Sequence, residues 1–136
     1  MRKRVLIVDD NAEHCRIFQR AFEKKYSDPI ADVKTALDGR DGWNIYVELK
    51  PDIVILDVML PVENGWELCK KIRAKEEELK KRQEDLKPAI IIMVTAIGSN
   101  LNEISSPLHG ADGYMDKPTD PEDLFRVIKR IESETV

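Results

Sequence analysis

Ile53-Val54-Ile55-Leu56-Asp57 decides the fold: four branched apolar residues in a row, closed by a carboxylate. Strict alternation would mark a strand wet on one face. An unbroken Val/Ile/Leu run marks one covered on both faces, as in a parallel sheet held between helices. The same signature recurs at Val5-Leu6-Ile7-Val8, followed by Asp9 and Asp10, and at Ile90-Ile91-Ile92-Met93-Val94, followed by Thr95. A lysine closes the related stretch Tyr114-Met115-Asp116-Lys117-Pro118. Open α/β sheets bind ligands just outside the carboxyl ends of their strands. Polar groups gathered at those ends therefore point to chemistry rather than packing.

The rest of the composition bounds the possibilities. A chain of 136 residues suits one ordinary domain, since about 150 residues bury roughly 70% of the unfolded surface. The 42% hydrophobic and 35% charged fractions fit a globular protein with a crowded charged surface. No apolar stretch approaches the roughly 20 residues that span a bilayer, and Met1-Arg2-Lys3-Arg4 leads into a strand without a cleavable signal pattern. A cytoplasmic location without a membrane partner is the expectation. The net charge of −4 argues against direct nucleic-acid binding, which needs clustered Lys and Arg. Cys15 and Cys69 show no metal-type spacing and read as small buried hydrophobes.

Strand and helix patterns alternate from end to end, so a single α/β unit over residues 1–136 with right-handed crossovers is expected. The first strand covers Arg4 to Val8. The first helix runs from Asn11 to Lys25, with Ala12, Cys15, Phe18 and Phe22 at helical spacing, and Tyr26-Ser27-Asp28-Pro29 breaks it. A short second strand, Ala31 to Ala36, leads through Asp38-Gly39 to a helix ending before Lys50-Pro51, and Asp52 to Leu56 form the third strand. The third helix is predicted from Asn64 to the stop at Lys87-Pro88, roughly 22 residues and about 33 Å long. Its charged second half sets Glu76/Lys80, Glu77/Lys81 and Glu78/Arg82 at i,i+4, the pattern of a solvated extension. Leu68, Ile72, Leu79 and Leu86 leave a thin apolar stripe that could instead meet a partner or the domain itself. Ser99 to His109 reads as a weak fourth helix that Pro107 ends or kinks, and Asp112 to Met115 as a fifth strand. Asp120-Pro121-Glu122-Asp123 then opens the last helix with a cap, an early proline and acids at the positive dipole end.

Carboxylates converging at one sheet edge repel strongly, by roughly 4 kcal/mol for a pair at about 4 Å and an effective dielectric of 20. Something positive must sit among Asp9, Asp10 and Asp57. Lys117 supplies one charge, and an oxygen-only site of this kind suits Mg²⁺, with Mn²⁺ as the alternative. A carboxylate so placed can accept a phosphoryl group as an acyl phosphate, and Thr95 stands where it could bond a phosphoryl oxygen.

Together, Val8-Asp9-Asp10-Asn11, Leu56-Asp57-Val58-Met59-Leu60-Pro61 with Gly65, Thr95-Ala96, and Gly110-Ala111-Asp112-Gly113-Tyr114-Met115-Asp116-Lys117-Pro118 resemble the receiver domain of bacterial two-component response regulators. The resemblance covers essentially the whole chain. It implies a flavodoxin-like (βα)5 fold, a doubly wound five-stranded parallel sheet in the order 2-1-3-4-5. It further implies that Asp57 accepts a phosphoryl group from a sensor histidine kinase or phosphotransfer protein, and that Mg²⁺ is held by Asp9, Asp10, Asp57 and the backbone carbonyl of Met59. Lys117 would pair with the phosphoryl group, Thr95 would move to meet it, Tyr114 would swing inward, and the Lys117-Pro118 bond would be cis. Such a chain is a monomer or weak dimer, not a dedicated enzyme: it catalyses its own phosphorylation and a slow autodephosphorylation. Its surface around the fourth helix, fifth strand and fifth helix would control a downstream protein. Two departures stand out, a longer stretch between Gly65 and Thr95 and the Ser105-Ser106-Pro107 sequence in the fourth helix.

Three rival readings differ in testable ways. A flavodoxin-like cofactor binder needs a first loop that cradles phosphate, which Asp9-Asp10 would repel. A phosphatase or mutase with an aspartyl nucleophile wants a second Asp two residues on, where this chain has Met59. A receiver-like interaction module working without phosphorylation would need no intact site. Met59 and Ile97, both apolar, are expected to flank the path of hydrolytic water and to slow loss of the acyl phosphate.

Overall fold

The computed structural model describes residues 2–82, 85–95, 110–117 and 119–134. Among these, β1 (Lys3–Val8), β2 (Ile30–Ala36), β3 (Ile53–Asp57), β4 (Ile90–Thr95) and β5 (Gly113–Asp116) form one sheet. Its order is β2-β1-β3-β4-β5 and every pairing is parallel. The helices are α1 (Ala12–Lys25), α2 (Gly39–Leu49), α3 (Gly65–Lys81) and α4 (Pro121–Glu134). This is the doubly wound parallel arrangement expected from the apolar runs. The predicted fourth helix, Ser99 to His109, lies outside the described residues, as do Ile97 and Pro118.

The runs are apolar throughout because each strand divides its residues between two cores. Leu6, Val8, Val54, Leu56, Ile91 and Met93 pack with Tyr46 of α2 and with Leu68, Cys69 and Ile72 of α3. Their alternates Val5, Ile7, Ile53, Ile55, Ile92 and Val94 pack with Cys15, Phe18 and Phe22 of α1 and with Leu124 and Ile128 of α4. Both faces are thus covered, which a period-2 side-chain alternation permits only when helices lie on each side.

Local signals fix the helix ends. Asn11 caps α1 by accepting from Glu13 N and His14 N, Asp38 caps α2 through Asp41 N, and Asn64 caps α3 through Glu67 N. Lys50, in the left-handed region at φ 51°, closes α2 before Pro51. Two expectations need correction. The second strand is not short; with seven residues it is the longest of the five. The third helix does not run to Lys87. It spans 17 residues and ends at Lys81, with Arg82 as its cap.

The cause of that early ending lies in Glu76. Instead of pairing outward with Lys80, its carboxylate is buried: Oε2 accepts the Ala89 amide at 2.7 Å and Oε1 accepts from Arg73 Nη1 at 2.7 Å. Arg73 Nη1 also donates to Ala89 O at 2.9 Å. These bonds return the chain to the start of β4, which a longer straight helix would prevent. Glu78 and Arg82 do form the expected surface pair, at 2.7 Å. Leu68 and Ile72 sit in the core while Leu79 and Leu86 are half-buried.

Candidate functional site

β1 and β3 are in register with Val8 opposite Leu56, so one residue further along Asp9 comes beside Asp57. Both continue the odd-numbered rows that face α1 and α4, and both are buried, 5% and 4% exposed. Asp10, the next residue on, is exposed. One carboxylate oxygen from each of Asp9, Asp10 and Asp57 lies within 4.8 Å of the others. Across β4, the backbone amide of Lys117 donates to Thr95 O at 2.7 Å and extends the β4–β5 ladder by one bond. That bond aims the lysine back over the strand ends. Lys117 Nζ reaches Asp57 Oδ2 at 2.8 Å and Asp9 Oδ2 at 3.1 Å.

The other oxygens of Asp57 and Asp9 are held by backbone amides. Asp57 Oδ1 accepts the Met59 amide at 3.1 Å, and Asp9 Oδ1 accepts the Asn11 amide at 2.9 Å. Gly65 lets α3 begin against the end of β3: a Cβ there would stand 2.2 Å from Asp57 O. A side chain at 65 would push α3 away from the strand that presents Asp57. Thr95, 1% exposed, ends β4 one residue beyond Val94, the register partner of Asp57. Tyr114 is half-buried on β5 and packs against the core beneath α2 and α3. Met59 is 68% exposed at the rim, close in sequence to the equally open Val62.

One neighbour was not foreseen from sequence. His14 Nδ1 lies 3.5 Å from Asp9 Oδ2. Its placement follows from the Asn11 cap, which accepts the His14 amide at 3.1 Å and so turns the first residues of α1 back over the strand end. The legible signal was a capping residue two positions after Asp9 with a histidine in the first turn.

One ammonium shared by several acids produces opposite shifts on the two sides. Burial lifts the Asp57 carboxyl above its ordinary range, assisted by the Asp9 charge and resisted by Lys117 and the Met59 amide. For Lys117, burial is the largest single influence and works against the charge, but the bonds and charges of Asp57 and Asp9 together outweigh it and hold the ammonium above its ordinary range. The lysine gains two carboxylates, whereas Asp57 gains a fraction of one cation. A set of three carboxylate oxygens with that deficit of positive charge fits a small hard divalent cation, Mg²⁺ or Mn²⁺.

Residues 5–129 match the family model described as the response regulator receiver domain. The chain belongs to the response regulator receiver family. Solved receivers agree with that assignment across the fold. The BeF3-activated DrrB receiver domain is 28% identical, with a TM-score of 0.75 over 98% of this chain and 99% of that one. The chemotaxis protein CheY4 of Vibrio cholerae is 27% identical, with a TM-score of 0.76 over 96% of this chain and 99% of that one. Against the longer response regulator DrrB of Thermotoga maritima, an OmpR/PhoB homologue, identity is 28% and TM-score 0.76, and the receiver described here covers 54% of that chain. No helix among the described residues is long and apolar enough to cross a membrane.

Proposed function

We propose that this receiver is a phosphorylation-dependent switch in which Asp57 is the phosphoacceptor. The observation that carries the reading is Lys117 Nζ at 2.8 Å from Asp57 Oδ2 and 3.1 Å from Asp9 Oδ2, inside a cluster of three carboxylates. A charge-assisted contact of that length positions a cation where phosphoryl oxygens would arrive. Asp9, Asp10, Asp57 and the Met59 carbonyl would hold Mg²⁺, which when bound supplies positive charge to the transferring phosphoryl oxygens.

The chain's own residues account for the rest. An Asp57 carboxylate oxygen attacks phosphorus on a sensor histidine kinase or phosphotransfer protein; the new O–P bond forms as the donor N–P bond breaks, and the donor imidazole leaves with its electron pair. Lys117 exchanges its contact with the carboxylate for one with the phosphoryl group. Thr95, at the next strand end, turns toward the same oxygens, and Tyr114 follows inward on β5. A bond to a charged partner contributes about 1.5–3 kcal/mol, while moving a switch from 1:99 to 99:1 takes about 5.5 kcal/mol. Thr95 alone therefore shifts the population in part, and the binding preference of a downstream protein completes it. Met59, exposed at the mouth of the site, excludes hydrolytic water and prolongs the acyl phosphate.

Incubation with acetyl phosphate and Mg²⁺, followed by intact-mass measurement, tests the reading. A phosphoryl adduct of roughly 80 Da that is absent in Asp57→Asn and persists for minutes after donor removal is expected. An adduct retained in Asp57→Asn, or none in the native protein, would overturn it and leave an interaction module that works without phosphorylation.

A further inference from the structure

A groove of about 470 Å³ opens at the amino end of the sheet, the rim opposite the carboxylate cluster. Its size lies in the range of small-molecule sites, about 300–1,000 Å³. α2 forms one wall with Tyr46 and Val47, and α3 with the following loop forms the other with Leu79 and Leu86. Residues 85–87, after α3, complete that second wall, and the Glu76 bond to the Ala89 amide holds the chain beyond them against the domain.

The charges around this apolar floor are unequal in availability. Arg4, Lys50, Lys75 and Lys87 line the groove with Asp52, Glu76 and Asp85. Glu76 is taken by Arg73 and the Ala89 amide, Asp52 accepts the Arg4 amide at 2.8 Å, and Lys75 pairs with Glu78 at 3.7 Å. Arg4 Nη1 donates to Leu49 O at 2.9 Å, whereas Lys50 and Lys87 have no ion-pair partner among the described residues. Among the described residues two unpaired lysines, Lys50 and Lys87, thus edge a floor of aliphatic and aromatic side chains, with the Asp52 and Asp85 carboxylates also at its rim.

We infer that this groove binds a small amphipathic anion: an aryl or alkyl body on the floor between Val47, Leu79 and Leu86, with a carboxylate, sulfonate or phosphate between Lys50 and Lys87. Both parts of such a ligand find a complement here. A fully apolar ligand would leave the cations unused, and a bare inorganic anion would leave the floor wet. The site is independent of phosphorylation and lies at the far end of the strands from Asp57.

The probe is 1-anilinonaphthalene-8-sulfonate, an aryl body with one sulfonate, titrated into the full chain at neutral pH. Fluorescence should rise to saturation at one equivalent. Amide chemical-shift changes should gather at Val47, Lys50, Leu79, Leu86 and Ala89. Combined Lys50→Glu and Lys87→Glu substitution should weaken binding at least about tenfold, whereas Lys24→Glu with Lys25→Glu on α1 should leave it unchanged. The uncharged analogue N-phenyl-1-naphthylamine should bind at least about tenfold more weakly. Equal affinity in the groove variant, equal affinity of the neutral analogue, shifts centred on another face, or no saturable binding would each overturn the inference. Beryllofluoride binding at Asp57, measured on the same samples, should be unaffected and so separates this site from the phosphoacceptor.

Discussion

At the carboxyl rim of the sheet several carboxylates share one lysine, while at the amino rim one arginine has partners for four of its five N–H donors. Arg73 Nε donates to Gly110 O at 2.7 Å, Nη1 to Glu76 Oε1 at 2.7 Å and Ala89 O at 2.9 Å, and Nη2 to Asp112 Oδ2 at 2.8 Å. Asp112 Oδ2 also accepts the Ile91 amide at 2.8 Å. Gly110, at φ +79°, lies so close that a Cβ there would stand 2.7 Å from Arg73 Cγ. Buried charge is held by nearly complete pairing at one end and left far from it at the other. Incomplete pairing is what a site needs if an incoming cation and phosphoryl group are to improve it; nearly complete pairing is what a joint between α3, β4 and β5 needs.

Breaking the better-paired end should cost most. Arg73→Met removes the cation from a Glu76 carboxylate that is 7% exposed, and orphaning a buried charge costs about 3–5 kcal/mol. Urea unfolding should show a midpoint lowered accordingly at an unchanged slope. Adding Glu76→Gln to Arg73→Met should recover part of that loss, because the stranded charge is then gone. A loss below about 1 kcal/mol would put this network in the class of surface pairs.

Relieving the incomplete end should have the opposite sign. Because burial raises the Asp57 pKa in the folded protein, the folded state binds more protons than the unfolded state between the two values, and stability falls as pH rises through that window. Ionised Asp57 thus works against folding at neutral pH. Asp57→Asn should raise stability there by about 1 kcal/mol, the scale of a typical stabilising substitution. The gain should fade as pH falls below about 4, where the carboxyl is protonated in both states. Measured destabilisation at pH 7 would mean that the Lys117 pair outweighs burial, and the contrast between the rims would vanish.

How far each rim was legible follows from the range of its interactions. The acidic site could be read because strand ends in a parallel sheet are register neighbours: once Val8 and Leu56 are seen as closing adjacent strands, Asp9 must meet Asp57. His14 was harder, since its position depends on how Asn11 turns the first residues of α1. The amino rim was misread for a different reason. Glu76, Lys80 and their neighbours satisfy the i,i+4 rule of a solvated helix, and nothing local indicates that Glu76 prefers a buried amide 13 residues away. Helical propensity and charge spacing argued for an extension to Lys87. A tertiary contact between Arg73, Glu76 and Ala89 ended the helix sooner.

Backbone strain sharpens the same contrast at smaller scale. Two residues other than glycine have positive φ among the described ones, Lys50 at 51° on the amino rim and Val62 at 69° on the carboxyl rim. Lys50 is an unbranched residue at a helix end, a place where the left-handed conformation is ordinary. Val62 is β-branched and follows Pro61, in a turn where Glu63 N donates to Pro61 O at 2.8 Å. There its Cβ substituents crowd the backbone, a conformation that persists because the surrounding loop imposes it. The side chain is 65% exposed, so replacing it forfeits little packing. Val62→Asn, a residue that tolerates this region, should therefore stabilise by about 0.5–1 kcal/mol, visible as a raised urea midpoint. Lys50→Asn should gain less. If Val62→Asn lowers the midpoint, the loop that carries Asp57 into α3 is relaxed, and the difference between the rims is one of charge alone.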